Sequence, residues 1–484
     1  MTPETKHPRG IYTLFFTEMW ERVSYYGMRT LLTLFMLDQA RGGMGLDGKT
    51  AGAIYGLYTA VVYLAALPGG WVGDRLLGTK RAVWWGGLTI AAGHLVLGFH
   101  STEAFFVGLL LVALGSGLLK SNMSVLVGQL YPEGGARRDA GFTLFYMGVN
   151  LGAFIGPLVC AALGEKIGWR WGFSAAAAGM LLGLVQFKLT DKHLAGVGER
   201  IAHAGQDLAR EWRLFWAALG LLAVFTTCCV AGIVKIDPVW LAQGTKWAIA
   251  SVAGLFFLWV FTLAGLTREE KGRMVLIAML FATSALFWAG FEQMGSSFNV
   301  FAEQHTIRQI GSFEVPAGWF QSVNPLFIIA FAPLVALLWT SLARRGCAPS
   351  LTTKVAWSLL LMAAGFLVAV FAARRALAVQ QVWATWLLGI YFLHTMGELF
   401  LSPVGLSAVT KLSPPRLTGQ MMGIWFLGSS LGNLVAGQLA GEVMGEAMEA
   451  MPGAFMQLVW IAGGAGVLLL LLARPLSALM KGVH

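Results

Sequence analysis

Charged residues are scarce in this chain of 484 residues, and their scarcity limits the class of protein it can be. Only 12% of the residues are Asp, Glu, Lys or Arg, whereas soluble domains carry about a quarter. Hydrophobic residues make up 57% of the chain. The length alone would suggest several soluble domains, but this composition excludes them.

Cysteine is also rare, and its placement excludes several kinds of site. Cys160 and the adjacent Cys228 and Cys229 lie in apolar stretches, and Cys347 lies in a polar connection. No cysteine spacing resembles a disulfide framework or a metal site. The apolar stretches contain no His-Glu-x-x-His motif and no Ser-His pair. We therefore expect no metal, no cofactor and no enzymatic activity.

The chain consists instead of a succession of long apolar stretches. Most reach the roughly 20 residues that cross a hydrocarbon core, and without strict alternation such stretches form helices. We predict an all-α integral membrane protein with 14 transmembrane helices. The predicted spans are 11–37, 51–73, 79–100, 103–130, 140–164, 170–190, 212–234, 243–267, 275–301, 319–342, 351–373, 382–410, 418–445 and 453–474.

The distribution of positive charge predicts the orientation of the chain. An even number of spans places both termini on one side of the membrane, and Lys and Arg concentrate in the connections on that side, including Lys80-Arg81, Arg137-Arg138 and Arg344-Arg345. By the positive-inside rule, both termini are cytoplasmic. We expect a multi-pass protein of a bacterial-type inner (cytoplasmic) membrane. The net charge of +10 then needs no nucleic acid as a partner.

Two polar interruptions predict how the chain is divided. The longer, 191–211, is predicted to be a cytoplasmic linker, and the other covers 267–273. For the two spans between them we expect no charged residue at membrane depth apart from the turn around Lys235 and Asp237. The prediction is an N-terminal six-helix bundle over 1–190, a linker with two inserted helices over 191–273, and a C-terminal six-helix bundle over 274–484. Transporters that rock two halves around a midplane site share this plan.

Four charged side chains lie within the first predicted span. At about 100° per residue, Glu18, Glu21, Arg22, Tyr25 and Arg29 fall on one face of a helix. An ionisable side chain at bilayer depth costs about 2.5–3.5 kcal/mol, so this face is expected to line a bundle interior or a wet cavity. A signal peptide is disfavoured, because the charges would lie in its apolar core and no cleavage site follows.

Few other ionisable residues lie deep within the spans. Lys120 follows glycines that are expected to leave space around its amine, and Glu398 precedes Pro403, which is expected to break the helix. We predict that Lys120 and Glu398 pair when the halves close and separate when they open; the alternative is a permanent structural ion pair. Glu292 is the third such residue.

Histidine, amide and aromatic residues complete the candidate set. His94 and His394 are interpreted as hydrogen-bonded packing residues and not as a proton relay. A short peptide has an amine, a carboxylate, backbone amides and variable side chains. A site that binds it therefore needs an acid, a base, hydrogen-bonding groups and broad apolar pockets. Suitable polar and aromatic residues within the spans are Tyr63, Asn150, Trp288, Phe291, Asn324 and Trp425.

The connection after the second span resembles the loop signature of the major facilitator superfamily. Gly70, Asp74, Arg75, Gly78 and Arg81 match its Gly-x-x-x-Asp-Arg-x-x-Gly-x-x-Arg spacing. The glycines would permit close helix approach and a tight turn, and Asp and Arg would latch neighbouring helix ends. The alternative is an ordinary positively charged cytoplasmic loop.

Several segments resemble motifs of the proton-dependent oligopeptide transporter family, and they extend over nearly the whole chain. Segment 18–29 is similar to the family's E-x-x-E-R-F-S-Y-Y-G-M-R, with Val23 in place of Phe. Segment 145–153 is similar to its F-Y-x-x-I-N-x-G-S signature, with Val149 and Ala153 in place of Ile and Ser. Further matches are Gly117-Leu118-Leu119-Lys120, segment 321–325 and segment 398–407.

The resemblance implies the major facilitator fold with two extra helices, and proton-driven import of di- and tripeptides. It implies that the peptide carboxylate is held by Arg29 and Lys120, with Arg22 nearby. The amino end would meet Glu398, Asn150 and Asn324. The backbone and side-chain pockets would be lined by Tyr25, Tyr26, Tyr63, Trp288 and Trp425. Protons would be handled by Glu18, Glu21 and Glu292, with Arg22.

Two rival transport functions are less compatible with these residues. A carrier of another anion, such as nitrate, would not require an amine-binding acid at Glu398, because a lone anion has no amine. A facilitator-fold drug exporter would share the loop signature without requiring the charged face of the first helix. The expected partners are therefore small peptides, protons and membrane lipid. The bundle would enclose its own pathway, so we expect a functional monomer.

Overall fold

The computed structural model describes residues 7–99, 101–133, 135–200, 207–445 and 448–480. Fourteen long helices account for most of this part of the chain. They are α1 Gly10–Leu37, α2 Gly48–Leu64, α3 Thr79–Leu97, α4 Thr102–Gln129, α5 Gly135–Lys166, α6 Trp169–Thr190, α7 Leu208–Val230, α8 Pro238–Thr262, α9 Arg268–Phe291, α10 Val323–Arg344, α11 Leu351–Val379, α12 Thr385–Leu412, α13 Thr418–Gly445 and α14 Met451–Leu471.

Each predicted span overlaps one of these helices, but two spans contain interruptions that the sequence did not indicate. After α2 ends, a short helix Ala66–Trp71 and a π-helical turn Val72–Leu77 continue the span. After α9 ends, a 3₁₀ turn Glu292–Gly295 separates it from a short helix Ser297–His305. Wider and tighter turns of this kind frequently occur at functional positions in helices.

Eleven helical segments in the described part of the chain are long and apolar enough to cross a membrane. The other three long helices, α1, α3 and α13, have suitable length but contain more charged, polar or glycine residues. In α1, the charged residues at positions 18, 21, 22 and 29 are the reason that the helix is less apolar than those eleven segments. The all-α membrane class predicted from composition is therefore confirmed.

Short strands close two of the connections. β1 Thr306–Ile307 pairs in parallel with β4 Val382–Trp383. β2 Gln309–Ile310 and β3 Phe313–Glu314 form an antiparallel hairpin, whose turn contains Gly311 at a φ of +60°. No strand was predicted, because two-residue strands leave no periodic pattern in a sequence.

The expected break of α12 at Pro403 was wrong. The helix runs from Thr385 to Leu412 with Pro403 inside it, and α5 and α10 likewise contain Pro157 and Pro333. A proline removes one backbone donor, but neighbouring helices and local adjustments can satisfy the freed carbonyl within a membrane protein.

The expectation that the inserted helices lack a deep charge was also wrong. Lys246 lies in the third turn of α8, and its Nζ donates a hydrogen bond to Oε1 of Gln438 in α13, at 2.8 Å. The amide oxygen provides a partner for an ammonium group that would otherwise be costly among apolar side chains.

The described chain divides into two compact units. The first comprises the described residues up to Met44 together with Val61–Asp237, and the second comprises Gly45–Ala60 and the described residues from Pro238 onward. Residues 48–60 of α2 thus belong to the second unit, and α7 and α8 belong to different units. The three-part division at 190 and 273 stays a prediction, and residues 201–206 of the predicted linker lie outside the described residues.

Glycines explain why the first part of α2 belongs to the second unit. Gly52 and Gly56 lie so close to Gly437 of α13 that a Cβ on any of the three would meet backbone atoms of the facing helix. Ser430 of α13 also donates a hydrogen bond to the carbonyl of Ala60, at 3.1 Å. Small residues allow such close approach between helices within a membrane.

The two intramembrane histidines lie in the cores of different units. Nε2 of His394 lies 3.2 Å from the carbonyl oxygen of Met362, and its ring packs against Phe366, as predicted. His94, in the last turn of α3, is completely buried, and neither of its ring nitrogens has a hydrogen-bond partner among the described residues. His94 is therefore a packing residue without the hydrogen bond that was expected.

Candidate functional site

Three charged residues of α1 form a buried cluster in the first unit. Nε of Arg22 lies 2.8 Å from Oε1 of Glu18 and 3.0 Å from Oε2 of Glu21. All three side chains are buried, and Glu21 is completely inaccessible. We call Glu18, Glu21 and Arg22 the charge cluster. The charge cluster has two carboxylates and one guanidinium, so a proton on either carboxylate would bring its net charge to zero.

The spacing of the residues and the close approach of α5 produce this cluster. Glu18 and Arg22 are four residues apart, which places them on the same face of α1. Gly152 of α5 lies against the carbonyl of Met19 and the Cβ of Arg22, where a larger residue would not fit. The backbone of α5 therefore packs directly against the part of α1 that carries the charge cluster.

Lys120 of α4 extends the charged site within the first unit. Its positive charge acts electrostatically on Glu21, and its Nζ lies 4.1 Å from the centre of the Tyr63 ring. Gly115 lies against the carbonyl of Gly86 and Gly117 against the backbone of Ala65, and the space expected around the amine stays a prediction. These glycines serve helix packing, and the lysine is stabilised by the aromatic ring.

Aromatic rings accompany the arginines of α1 as well. The guanidinium carbon of Arg29 lies 5.3 Å from the ring centre of Tyr26, and that of Arg22 lies 5.9 Å from the ring centre of Tyr25. The two tyrosine rings pack edge to face at 5.2 Å. Arg29 is a buried cation with an aromatic neighbour, an arrangement that suits an anionic ligand group.

Asn150 is the predicted amide of α5, and it is buried in the first unit. Its Nδ2 donates a hydrogen bond to the carbonyl of Tyr146, one turn earlier in the same helix, at 2.9 Å. The structure therefore places the predicted polar group in the interior of the unit, where the amide oxygen remains an acceptor.

The loop signature forms the π-helical turn after α2. Gly78 has a φ of +81° and immediately precedes α3, so the predicted tight turn is present. The close approach to α4, however, involves Gly69 and Gly73 rather than Gly70. A Cβ on Gly73 would clash with the side chain of Asn122 in α4. Nδ2 of Asn122 also donates a hydrogen bond to the carbonyl of Gly69, at 3.1 Å. Gly70 has only ordinary contacts.

The charged residues of the loop signature differ in their surroundings. Nη1 of Arg75 lies 3.7 Å from Oε1 of Glu211 in the first turn of α7, so Arg75 connects the turn to the inserted helix. Asp74 and Arg81 are exposed. Arg75 therefore has an acidic partner that the loop motif does not contain, and the predicted latch stays a prediction.

In the second unit, Glu292 begins the 3₁₀ turn that follows α9. It is 3% exposed, and its Oε2 accepts a hydrogen bond of 3.0 Å from the hydroxyl of Tyr55. Sequence reasoning missed Tyr55, because a single tyrosine in an apolar span carries no spacing signal that relates it to a residue 237 positions away.

Glu398 of α12 accepts a hydrogen bond from Asn324 of α10, in the same unit. Nδ2 of Asn324 donates hydrogen bonds of 3.0 Å to Oε2 of Glu398 and to Oγ1 of Thr395. Asn324 and Glu398 were both predicted, but their direct contact and the role of Thr395 were not. The amide holds the carboxylate in one orientation, which prepares it to accept hydrogen bonds from an amine.

The predicted tryptophans also lie in the second unit. Trp288 packs edge to face with Phe291 at 5.2 Å. Trp425 is buried, and its ring lies against Gly405. Both rings contribute to the packing of the unit, and their predicted role in substrate pockets stays a prediction.

The two units therefore contain different sets of predicted site residues. The first contains the charge cluster, the cations Arg29 and Lys120, and the predicted tyrosines and asparagine; the second contains Glu292, Asn324, Glu398 and both tryptophans. The pairing of Lys120 with Glu398 as a gate stays a prediction. Among the described residues, no group of three or more His, Cys, Asp or Glu side chains could hold a metal ion.

Comparison with known proteins identifies the family. Residues 80–460 match the family model described as the POT family. The chain is 41% identical to the peptide transporter YePEPT of Yersinia enterocolitica, with 99% of this chain and 96% of the relative covered. It is 32% identical to a di-/tripeptide transporter of Lactococcus lactis, with 99% and 97% covered.

Solved structures agree with the sequence comparison. A crystal structure of the peptide transporter POT in complex with sulfate matches with a TM-score of 0.91 at 37% identity, covering 99% of this chain and 97% of that one. The fold is accordingly the all-α major facilitator fold, with 14 long helices in the described part of the chain. The chain is a multi-pass membrane protein that belongs to the POT family.

Proposed function

We propose that this chain is a proton-coupled symporter that imports di- and tripeptides across the cytoplasmic membrane by alternating access. The observation that carries the proposal is the buried charge cluster, in which two carboxylates share one guanidinium. Ionisable groups are costly within a membrane, and those that are retained there usually serve the function of the protein. The names of the relatives as peptide transporters support the same conclusion.

The charges of the two units match the two ends of a peptide. Arg29 and Lys120 are cations in the first unit and suit a peptide carboxylate, because charge-assisted hydrogen bonds to a carboxylate are strong. Glu398, oriented by Asn324, suits a peptide ammonium group, and Asn150 offers a further amide. The apolar and aromatic residues proposed for the variable side chains are Tyr25, Tyr26, Tyr63, Trp288 and Trp425.

Coupling follows from competition for the cations. A peptide carboxylate that binds at Arg29 and Lys120 competes with Glu21, which is attracted by Lys120. The loss of this attraction makes the protonated form of a carboxyl in the charge cluster more favourable. Peptide and proton binding thereby become mutually favourable. A membrane potential contributes about 2.3 kcal/mol per charge at 100 mV.

Several further features belong to the same proposal. The coupling ion is the proton, handled by the charge cluster and Glu292, and no cofactor or metal is required. The membrane is the inner (cytoplasmic) one, with both termini on the cytoplasmic side, as the positive charge of the connections indicates. The partners are peptide, proton and lipid, and the monomer is the functional unit.

We predict that Glu21→Gln abolishes accumulation of a labelled dipeptide driven by a pH gradient in proteoliposomes. Glutamine resembles protonated glutamate and cannot release a proton, so the uphill step is lost. Exchange of internal for external peptide needs no net proton movement and should persist. Glu103→Gln is the matched control, because Glu103 is an exposed acid in the first turn of α4.

Accumulation by Glu21→Gln at the wild-type level would contradict the role assigned to this residue. Competition assays with the wild-type protein test the substrate class separately. An unlabelled tripeptide should reduce dipeptide uptake, whereas nitrate and hydrophobic cations should not. Competition by nitrate or by hydrophobic cations alone would favour the anion carrier or the drug exporter instead.

A further inference from the structure

The hydrogen bond between Tyr55 and Glu292 connects two distant parts of the chain inside the second unit. The tyrosine side chain is completely buried and the glutamate is 3% exposed. The distance of 3.0 Å between the hydroxyl oxygen and Oε2 is that of a well-formed hydrogen bond. In a site that excludes water, a hydroxyl that donates to a carboxylate interacts more strongly than it would in water.

The backbone around Glu292 is held by other hydrogen bonds. Nε2 of Gln293 donates to the carbonyl of Ala436 in α13, at 3.0 Å, and the hydroxyl of Tyr391 donates to the carbonyl of Met294, at 3.3 Å. These contacts determine the position of the 3₁₀ turn. They do not involve the carboxyl group of Glu292, whose orientation is set in part by Tyr55.

The same hydrogen bond helps to hold the first part of α2. Residues 48–60 contact α13 through the close glycine pairs and through the bond from Ser430 to Ala60, and these contacts carry no titratable group. The bond from Tyr55 differs from them, because its strength depends on whether Glu292 carries a proton. A hydroxyl binds an ionised carboxylate roughly twice as strongly as a neutral acceptor.

We infer that Tyr55 is a positioning residue for the coupling proton: its hydroxyl orients the carboxyl of Glu292 and links protonation there to the attachment of residues 48–60 in the second unit. A proton on Glu292 weakens the bond to Tyr55 and loosens this part of α2, and release of the proton restores the bond. This inference rests on the proposed role of Glu292 in proton coupling.

Other ionisable groups lie on the elements that pack against the turn, and they provide its electrostatic surroundings. The charged residues of α9 lie within 268–273, at the end of the helix away from the turn. The ionisable residues of α2 besides Tyr55 are Lys49, Tyr58 and Tyr63. The remaining ionisable residues on the short helix after the turn, on α13 and on α12 are Glu303, His305, Glu442, Tyr391, His394 and Glu398, with Lys411 near the end of α12.

The first test measures transport in proteoliposomes. Tyr55→Phe keeps the ring and removes only the hydroxyl. We expect accumulation driven by a pH gradient to fall by at least about fivefold, as loss of a hydrogen bond to a charged group would produce, while peptide exchange stays within about twofold of wild type. Tyr131→Phe is the matched control: Tyr131 is a buried tyrosine of the first unit whose hydroxyl lies 2.8 Å from Nδ1 of His7, and it has no part in the proposed proton or peptide sites, so accumulation should stay near wild type.

A double variant tests whether Tyr55 acts through Glu292. If it does, Tyr55→Phe combined with Glu292→Gln should transport no worse than Glu292→Gln alone, because the effects of coupled residues are not additive. Additive losses, or wild-type accumulation by Tyr55→Phe, would overturn the inference.

Infrared difference spectroscopy of the purified, full-length protein provides a readout independent of transport. A difference spectrum is recorded between a low and a high pH. The band that is present in the wild-type protein and absent in Glu292→Gln is assigned to the carboxyl group of protonated Glu292. Tyr55→Phe should shift this band to higher frequency, and the control Tyr131→Phe should not. An unshifted band, or no band lost in Glu292→Gln, would overturn the inference. If the wild-type protein accumulates no dipeptide, the proposed function fails, and the spectra still decide whether Tyr55 orients Glu292.

Discussion

At the scale of single residues, each deep charge in the described part of the chain that was discussed above has a specific neighbour that compensates it. Arg22 contacts two carboxylates, Lys120 lies over the Tyr63 ring, and Lys246 donates to Gln438. These are three different solutions to the same problem, the high free energy of a charge in an apolar environment. Only the first uses residues that are neighbours in sequence.

We predict that Lys120→Ala reduces dipeptide accumulation driven by a pH gradient by at least about tenfold, because it removes a cation that attracts both Glu21 and a peptide carboxylate. Uptake of labelled Ala-Ala into proteoliposomes measures the effect. Lys354→Ala is the control, since Lys354 also lies over an aromatic ring, that of Trp339, at 4.8 Å. Normal uptake by the Lys120 variant would refute its role.

At the scale of single elements, the ends and contacts of α2 show how short-range chemistry determines a helix. Asp47 precedes the first residue of α2, and its carboxylate accepts hydrogen bonds from the backbone N–H and the hydroxyl of Thr50, at 3.0 and 2.7 Å. This is the arrangement of an N-cap, which satisfies a backbone donor that the helix leaves unpaired.

We predict that Asp47→Ala lowers the free energy of unfolding in detergent by about 1 kcal/mol at pH 7. The hydrogen bonds from Thr50 hold the pKa of Asp47 below its ordinary value of 3.8. The stabilisation is therefore present above that value and is lost as the pH falls through the lower, folded-state pKa. Asp47→Ser, which keeps a capping oxygen, should restore most of the stability. Equal stability of the alanine variant and wild type would contradict the capping role.

We also predict that Gly437→Ala lowers the thermal midpoint of the protein in detergent. A Cβ at Gly437 would meet the carbonyl of Gly52 and the backbone of Gly56, so α2 and α13 would have to separate. Gly423→Ala in the same helix has no atoms near its Cβ and should leave the midpoint unchanged or raise it, because alanine is favoured over glycine in a helix. A midpoint no lower than that of Gly423→Ala would refute the close-contact explanation.

At the scale of the whole molecule, the apolar composition places the chain in a membrane, and the distribution of positive charge predicts its orientation there. None of the residues of α7 is buried. Large apolar side chains are exposed on α7, on α8 and in the connection between them; examples are Leu221, Trp240 and Ile233, respectively. In a membrane these surfaces contact lipid. In the proposed orientation, the excess of 34 Lys and Arg over 24 Asp and Glu is accounted for by the positive connections on the cytoplasmic side.

Cys347 provides a direct test of the orientation. It is the exposed cysteine in the connection between α10 and α11, whereas Cys160 is buried and Cys228 and Cys229 lie in α7. We predict that a membrane-impermeant maleimide labels Cys347 in inside-out vesicles and not in intact cells. Cys347→Ser should abolish this labelling. Labelling of Cys347 in intact cells would reverse the predicted orientation of the chain.

The sequence by itself determined the membrane class, the approximate position of each long helix and the charge cluster. Apolar runs of spanning length have few alternatives to a helix in lipid, and residues three or four positions apart on a helix are neighbours whatever the tertiary structure. The family motifs identified the remaining candidates by similarity and not by physical derivation.

The tertiary structure alone decided the contacts between distant segments. Tyr55 with Glu292, Asn324 with Glu398, and Lys246 with Gln438 are each separated by dozens of residues or more in sequence. No local periodicity relates such pairs, because they meet only when glycines allow helices to approach closely and when turns such as Glu292–Gly295 redirect a span. The sequence therefore determined which charges enter the membrane, and the packing of the helices decided which partners stabilise them.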